Sequence, residues 1–308
     1  MTQSPISNRQ SPIANLQSPD LYALVIRLTA EKSGALRATH GHLAHGAFFE
    51  ILRQVDPGIS AALHNISGRK PFTISPLHDF GHGRKGKLPV RAGQEGWLRV
   101  TLLDPLLFHT FIDYFLHGTK QPTIQLDHIP FHVSEILGTP GSHPLAGADN
   151  LAGLYQRWNE ADTNQPTNRP TIPQTIHLHF HTPTAFSRRD PNLPHRHVHV
   201  LPDPYFVFGE LAGAWDRLTD SETKEAIQQF TIERVVVARH DIRTHMYHFR
   251  SSKQVGFTGR VTYEVLGEGQ TALVQHLNRL ADLAFYTGVG SKTTMGMGQV
   301  FRIMNYEL

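Results

Sequence analysis

The 308-residue chain predicts an α+β fold of two ferredoxin-like (RRM-like) domains in tandem, and three observations predict it. Strand-like and helix-like segments run in the order strand, helix, strand, strand, helix, strand, and the same order then returns. A stretch rich in Gly, Pro, Asn and Thr separates the two rounds. Hydrophobic residues make up 39% of a chain long enough for two domains, so each round can bury a core.

Residues 1–19 carry Gln-Ser-Pro three times, at Gln3, Gln10 and Gln17, and lack the apolar stretch of a secretory signal. They are expected to form a disordered leader or an overlong start. The first domain is assigned to 20–137. Leu21 to Thr29 (LYALVIRLT) is a continuous apolar run and reads as a buried strand. Ala44, Phe48, Ile51, Leu52 and Val55 recur at helical spacing, which gives an amphipathic helix over 42–55. Asp56-Pro57 sets a cap before proline at the first helical position, predicting a short helix over 57–64. Pro71 to His78 and Trp97 to Leu103 read as strands joined by a glycine-rich, basic loop over 80–96. Asp104-Pro105 repeats the cap signature ahead of Leu107, Phe111, Tyr114 and Phe115, and extended segments follow through 137.

Residues 138–173 read as an interdomain linker with one helical turn near Leu151–Trp158. The second domain is assigned to 174–308. Ile176–Phe180 is a strand, and Asp203-Pro204 caps a helix carrying Val207, Leu211, Ala214, Trp215 and Leu218. Phe230–Ala238 and Gly256–Leu266 are strands. Leu273, Leu277, Leu280 and Ala284 mark a helix, and Gln299–Ile303 closes as a strand.

Composition removes several function classes. No run approaches the ~18 consecutive apolar residues of a membrane span. The absence of Cys excludes a disulfide scaffold, a thiolate zinc site, an iron–sulfur cluster and a Cys nucleophile. Net charge is only +3, but the 21 His allow the surface to become more cationic with small pKa shifts. The basic residues are also concentrated. Arg69, Lys70, Arg84, Lys85, Lys87 and Arg91 face a single acid, Asp79, within one stretch. Arg239, Arg243, Arg250, Lys253 and Arg260 face only Asp241 in another. Two such patches in a near-balanced chain resemble surfaces for an anionic ligand, with solvated loops as the plain alternative.

Gly81 to Gly86 matches G-x-G-x-x-G literally, but an extended, proline-broken segment follows where a dinucleotide site requires a helix. The denser signal is Gly288-Val289-Gly290-Ser291-Lys292-Thr293-Thr294-Met295-Gly296-Met297-Gly298. Glycines interleaved with a lysine and three hydroxyls let backbone approach a phosphate chain closely. It is no Walker A loop, because Ser291 separates Gly290 from Lys292 and the helix precedes the loop.

This segment, extended back to Phe285-Tyr286-Thr287, resembles the C-terminal glycine-rich loop of the CRISPR-associated endoribonucleases that process repeat RNA, members of the RAMP superfamily. Thr182 to Arg189 and Gly256 to Val261 support the resemblance, and Leu63-His64-Asn65 with Arg69-Lys70-Pro71-Phe72 is similar to the segment carrying catalytic residues in some members. The likeness spans about 20–306. It implies tandem ferredoxin-like domains, as the element order does independently. It also implies metal-free cleavage, in which a 2′-hydroxyl attacks the adjacent phosphate and leaves a 2′,3′-cyclic phosphate and a 5′-hydroxyl. Such chemistry needs proton transfer and positive charge at phosphorus.

By this resemblance His64 is expected to be the acid/base and Lys70 the transition-state cation. His45, one turn before Phe49, is the alternative. Some members carry a catalytic Tyr where this chain has Phe49, which cannot transfer a proton. His40 and His42 are further candidates, read as loop residues. RNA contacts are expected from Arg69, Arg84, Lys85, Lys87, Arg188, Arg189, Arg239, Arg243, Gly288, Gly290, Ser291, Lys292, Thr293, Gly296 and Gly298. His177, His179 and His181 alternate, as do His195, His197 and His199, so each trio shares one strand face. Facing imidazoles suit either zinc or a weakly basic, stacking RNA surface, and the second reading is preferred.

The function expected is a metal-independent endoribonuclease cutting CRISPR repeat RNA into mature guide RNAs, with no cofactor, no metal and no membrane partner. A CRISPR effector complex is a further expected partner and the cytoplasm the expected compartment. The alternatives are a non-catalytic RNA-binding subunit of such a complex and a His-bound metal nuclease.

Overall fold

The computed structural model describes residues 19–81, 83, 86–117, 122–159, 172–188, 197–249 and 252–303. Its first half contains β1 (Leu21–Ala30), β2 (Gly34–Arg37), α1 (Gly41–Val55), α2 (Pro57–Asn65), β3 (Phe72–Ile74), β4 (Lys87–Val90), β5 (Glu95–Leu102), α3 (Pro105–Leu116), β6 (Thr123–Leu126), β7 (Ile129–Leu137), β8 (Gly147–Asp149) and α4 (Leu151–Asn159). The second contains β9 (Thr175–Thr184), β10 (Phe186–Arg188), β11 (His197–His199), α5 (Pro204–Thr219), α6 (Lys224–Arg234), β12 (Val235–His248), β13 (Lys253–Val265), α7 (Thr271–Thr287) and β14 (Val300–Arg302). The core strands are antiparallel and run β7-β1-β5-β3 in one sheet and β14-β9-β13-β12 in the other. Both are the split β-α-β order, so the fold is two ferredoxin-like domains in tandem.

The apolar run of β1 is buried on both faces, for two different reasons. Tyr22, Leu24, Ile26 and Leu28 pack with Phe48, Leu52 and Phe111 of α1 and α3. Leu21 and Ala23, on the opposite face, join the core of the second domain with Leu280 and Leu283 of α7. The Asp-Pro signatures work as caps. Asp56 accepts from Gly58 and Ile59 backbone N–H groups at 2.8 and 3.0 Å, Asp104 from Leu107 at 2.8 Å, and Asp203 from Tyr205 at 2.8 Å.

Four local expectations differ from the structure. The basic 80–96 loop contains β4, which pairs with β2 in a two-stranded ribbon where Pro89 sits opposite Ala35. A proline hid this strand, and an isolated ribbon tolerates one because each strand keeps a free edge. Of Pro71–His78 only β3 is a strand, with a single further bridge from His78 to Trp97. Phe230–Ala238 begins as helix: Ile227, Phe230 and Thr231 form the buried side of α6, and the strand starts at Val235. Within the stretch read as a linker, β8 pairs with β1 and α4 packs on α7.

Asp216, near the end of α5, holds the start of α6. Its carboxylate accepts from the Thr223 N–H at 2.8 Å, the Thr223 hydroxyl at 2.7 Å, Ser221 at 2.9 Å and the Lys224 N–H at 3.0 Å. Burial alone would raise its pKa, but these bonds hold it below the ordinary carboxyl value. Asp216→Ala is expected to cost about 1–2 kcal/mol in a urea melt, the range of a lost helix cap. The loss should be full at neutral pH and vanish as acid protonates the carboxyl below its unfolded value of 3.8, because a depressed pKa stabilises only the ionised form.

The two domains are joined by a polar seam. Arg99 of β5 donates to Leu145 O and Phe285 O at 2.7 Å each and to the Gln299 side-chain oxygen. Thr101 donates to Tyr286 O at 2.6 Å, and Gln299 donates to Thr73 at 2.8 Å. These bonds lay the end of α7, and the loop after it, across the first domain.

Candidate active site

Three segments meet at this seam: α1, the turn from His64 to Lys70, and the glycine-rich loop 288–298. The loop turns through Lys292, held left-handed at φ 59°, into a short 3-10 turn at Thr293–Met295. Ser291 donates from its N–H and its hydroxyl to Ala185 O at 2.9 and 3.0 Å and accepts from Gln254 at 2.7 Å. Gly290, at φ 83°, passes so close to strand-side backbone that an added Cβ would stand 2.5 Å from Ala185 O. Across the seam, a Cβ on Gly41 would meet Met295 O at 2.2 Å, so only glycine lets α1 touch the loop. The glycines answer first to contacts within the protein. Gly288, Thr293, Gly296 and Gly298 are buried, whereas Gly290, Ser291, Lys292 and Thr294 are half-exposed and line the outer lip.

His45 lies on α1 against this lip. Its Nδ1 faces Thr294 O at 2.9 Å, which makes Nδ1 the protonated nitrogen of the neutral ring. Burial lowers its pKa; the bond to Thr294 opposes this, and the positive potential of Lys70 and His64 adds to it. Phe49 stands between the two imidazoles, with ring centroids 4.9 Å from His45 and 5.6 Å from His64. His64 is exposed on the last turn of α2, at the edge of a hollow of about 430 Å³ bordered by Gly46, Phe49, Glu50, Arg53 and Ser60. The structure therefore brings His45, His64 and Lys70 together, though they come from two helices and a turn.

A second hollow of about 360 Å³ is bordered by Lys70 and lies between Arg69, Ser187, Glu210 and Gly290 to Thr294. Lys70 itself is occupied. Its ammonium donates to Leu63 O, His64 O and Ile66 O at 2.5, 2.9 and 3.2 Å, and desolvation lowers its pKa. Three carbonyls take all three ammonium hydrogens, leaving none for the phosphate oxygen it was expected to bind. Arg69 is likewise turned inward. Its side chain is 13% exposed, and Nη2 donates to Thr287 O and Gly288 O at 2.7 Å each, while Nη1 lies 3.4 Å from Glu210. Burial pulls its pKa down to about 10, which still leaves it charged at neutral pH.

The remaining expected cations are dispersed. Lys292 Nζ sits 3.4 Å above the Phe249 ring at the tip of the β12–β13 hairpin, a partner the sequence did not reveal. Desolvation lowers the pKa of Lys292. Arg188 is exposed on β10, adjoining Ser187 of the second hollow, and Lys87 is exposed on β4. Arg239 and Arg243 are exposed on β12, opposite Thr262 and Thr258 of β13. Arg84, Lys85 and Arg189 lie outside the described residues. His40 does lie in the loop before α1, but buried: it accepts from the Leu77 N–H at 2.7 Å and faces Arg37 O at 3.2 Å. His42 lies half-buried in the first turn of α1.

His177, His179 and His181 do share one face of β9, since Ile176, Leu178 and Phe180 fill the core on the other. His181 stacks on His78 of the first domain at 5.0 Å, and burial lowers their pKa values to about 4 and about 3, so both are neutral at pH 7. His197 and His199 lie on β11, while His195 lies outside the described residues. Among the described residues no group of three or more His, Asp or Glu is arranged to hold a metal ion. None of the described helices is long and apolar enough to cross a membrane.

Comparison with known proteins places this geometry in one family. The model of the CRISPR Cas6 N-terminal domain matches residues 21–156, and that of the CRISPR-associated endoribonuclease Cas6 matches 178–300. A curated CRISPR-associated endoribonuclease Cas6 of Streptococcus thermophilus is 24% identical over 123 residues, 39% of this chain and 47% of that relative's length. Among solved structures, a Cas6 product complex is 29% identical with a TM-score of 0.72, covering 92% of this chain and 100% of that one. Thermus thermophilus Cas6 is 27% identical with a TM-score of 0.65, covering 93% and 100%.

Proposed function

Because the chain belongs to the family of CRISPR-associated Cas6 endoribonucleases, we propose that it cuts CRISPR repeat RNA in precursor transcripts to give guide RNAs, without a metal ion. The observation that carries this reading is His64, an exposed imidazole at the border of one hollow, whose backbone carbonyl is held by Lys70 at the border of the other, beside the glycine-rich loop. The carboxylates that border those hollows are engaged: Glu50 with Arg53 at 2.7 Å and Glu210 with Arg69 at 3.4 Å. Imidazoles are thus the groups on offer for proton transfer.

In this mechanism the 2′-oxygen forms a bond to phosphorus as the bond to the 5′-oxygen breaks. One proton leaves the 2′-hydroxyl and another reaches the departing 5′-oxygen, with His64 serving as the positioned acid or base. Phe49 gives His64 an apolar wall on the side of His45 and holds no proton to transfer. The exposed lip of the loop, with Lys292 and Arg188, receives the backbone phosphates. The protein works in the cytoplasm, where the precursor is made, with a CRISPR effector complex receiving the product.

Incubation with the host's own repeat RNA tests the proposal. Cleavage should persist in excess EDTA and leave 2′,3′-cyclic phosphate and 5′-hydroxyl ends. Strict dependence on a divalent ion defeats it, and tight binding without cleavage points to a non-catalytic RNA-binding subunit. Binding provides a separate check. Lys292→Ala should weaken RNA binding and lower the salt slope by about 0.7, one phosphate contact on single-stranded RNA, similarly for all repeat variants. An unchanged slope would remove Lys292 from the binding surface.

A further inference from the structure

Arg69 and Lys70 are adjacent cations in the most basic stretch of the first domain, yet their hydrogen bonds run into the protein. Lys70 gathers three carbonyls at the end of α2, including that of His64. Arg69 gathers the carbonyls of Thr287 and Gly288, where α7 ends and the glycine-rich loop begins. Two helix C-termini, one from each domain, therefore converge on consecutive residues. Each end carries unpaired carbonyls and a partial negative charge, and a cation satisfies both demands at once.

We infer that Arg69 and Lys70 form a brace that sets the spacing between His64 and the glycine-rich loop, and that neither residue touches RNA. Both are positioning residues, and the inference rests on His64 being the proton-transfer group. Lys70 ties down the backbone of His64 itself, and Arg69 ties down the first carbonyls of the loop. With the two side chains one residue apart, the acid/base and the phosphate-binding lip move as one body. Glu210 keeps the Arg69 guanidinium in place from α5. Misplacing a reacting group by about 1 Å is enough to slow chemistry by about 10²-fold, which is why spacing alone merits two cations.

The test uses the full chain with Arg69→Lys, Arg69→Gln and Lys70→Met, read by RNA affinity, salt slope and single-turnover cleavage. A lysine at 69 keeps the charge but lacks the planar fork that spans two carbonyls and a carboxylate. The brace predicts that Arg69→Lys and Arg69→Gln both lower the single-turnover rate constant, by about 10–100-fold at full reaction amplitude. Affinity should stay within about threefold and the salt slope unchanged, since no phosphate contact is lost. If Arg69 binds a phosphate, Arg69→Gln lowers the slope by about 0.7 while Arg69→Lys retains it, and the inference falls. A merely structural role would cut the amplitude, the folded fraction, and leave the rate constant intact, which also overturns it. Should the Arg69 variants fail to fold, Lys70→Met carries the same rate and slope criteria from the partly exposed half of the brace.

A double variant separates the inference from its premise. Arg69→Lys should slow His64→Ala no further, because the brace acts through His64. A full additional loss refutes the coupling. Wild-type cleavage by His64→Ala alone would instead refute the role of His64, and the slope data would still decide whether Arg69 and Lys70 meet RNA.

Discussion

Replacing His64 by alanine is expected to slow single-turnover cleavage by at least about 10²-fold, the lower end of general acid–base catalysis. RNA affinity should change little, because an imidazole that moves a proton acts chiefly in the transition state. The side chain is exposed, and Lys70 holds the His64 carbonyl, not the ring, so the fold should not register the substitution. His45→Ala is the informative contrast. It removes a ring packed against Phe49 and Phe72 and leaves Thr294 O without its donor, so it should lower thermal stability as well as rate. If His45→Ala abolishes cleavage in the folded protein while His64→Ala matches wild type, proton transfer belongs to α1.

The largest effect should come from the substrate. A repeat RNA with hydrogen in place of the 2′-hydroxyl at the cut site should bind normally and remain intact, since the attacking oxygen is gone. No protein group replaces it in the proposed mechanism: the hollow beside His64 offers an imidazole, and its carboxylate Glu50 is held by Arg53 and Gln54. The same RNA should act as a competitive inhibitor of the unmodified repeat. Cutting of the deoxy substrate at an ordinary rate would mean that water or a protein side chain is the nucleophile.

Much of the architecture is legible in local chemistry. The three Asp-Pro caps and the apolar period of α1 depend on neighbours within a few residues, and each stands where the sequence puts it. The errors arise where partners are distant. Pro89 argues against a strand until β2 is seen beside it. The run VVVA overshadows the helical burial of Ile227 and Phe230. The site divides in the same way. His64, His45 and the glycine-rich loop are conspicuous as residue types, and the structure sets them side by side. What Arg69 and Lys70 do with their hydrogens is invisible in sequence, because basic residues look alike whether they face solvent or a helix end. Phe249 beneath Lys292 is hidden for the same reason, being 43 positions away along the chain.

The two-sided burial of β1 bears on how the protein comes apart. Leu21 and Ala23 belong to one hydrophobic core and Tyr22 and Leu24 to the other, so a single strand is stitched into both. Neither half then has an independent melting transition. Calorimetry should record one endotherm with matching van't Hoff and calorimetric enthalpies, despite the duplicated topology. A cavity cut at Leu21 in the first domain should loosen α7 and, through Thr287 and Gly288, reach the glycine-rich loop. The tandem is double in plan and single in thermodynamics.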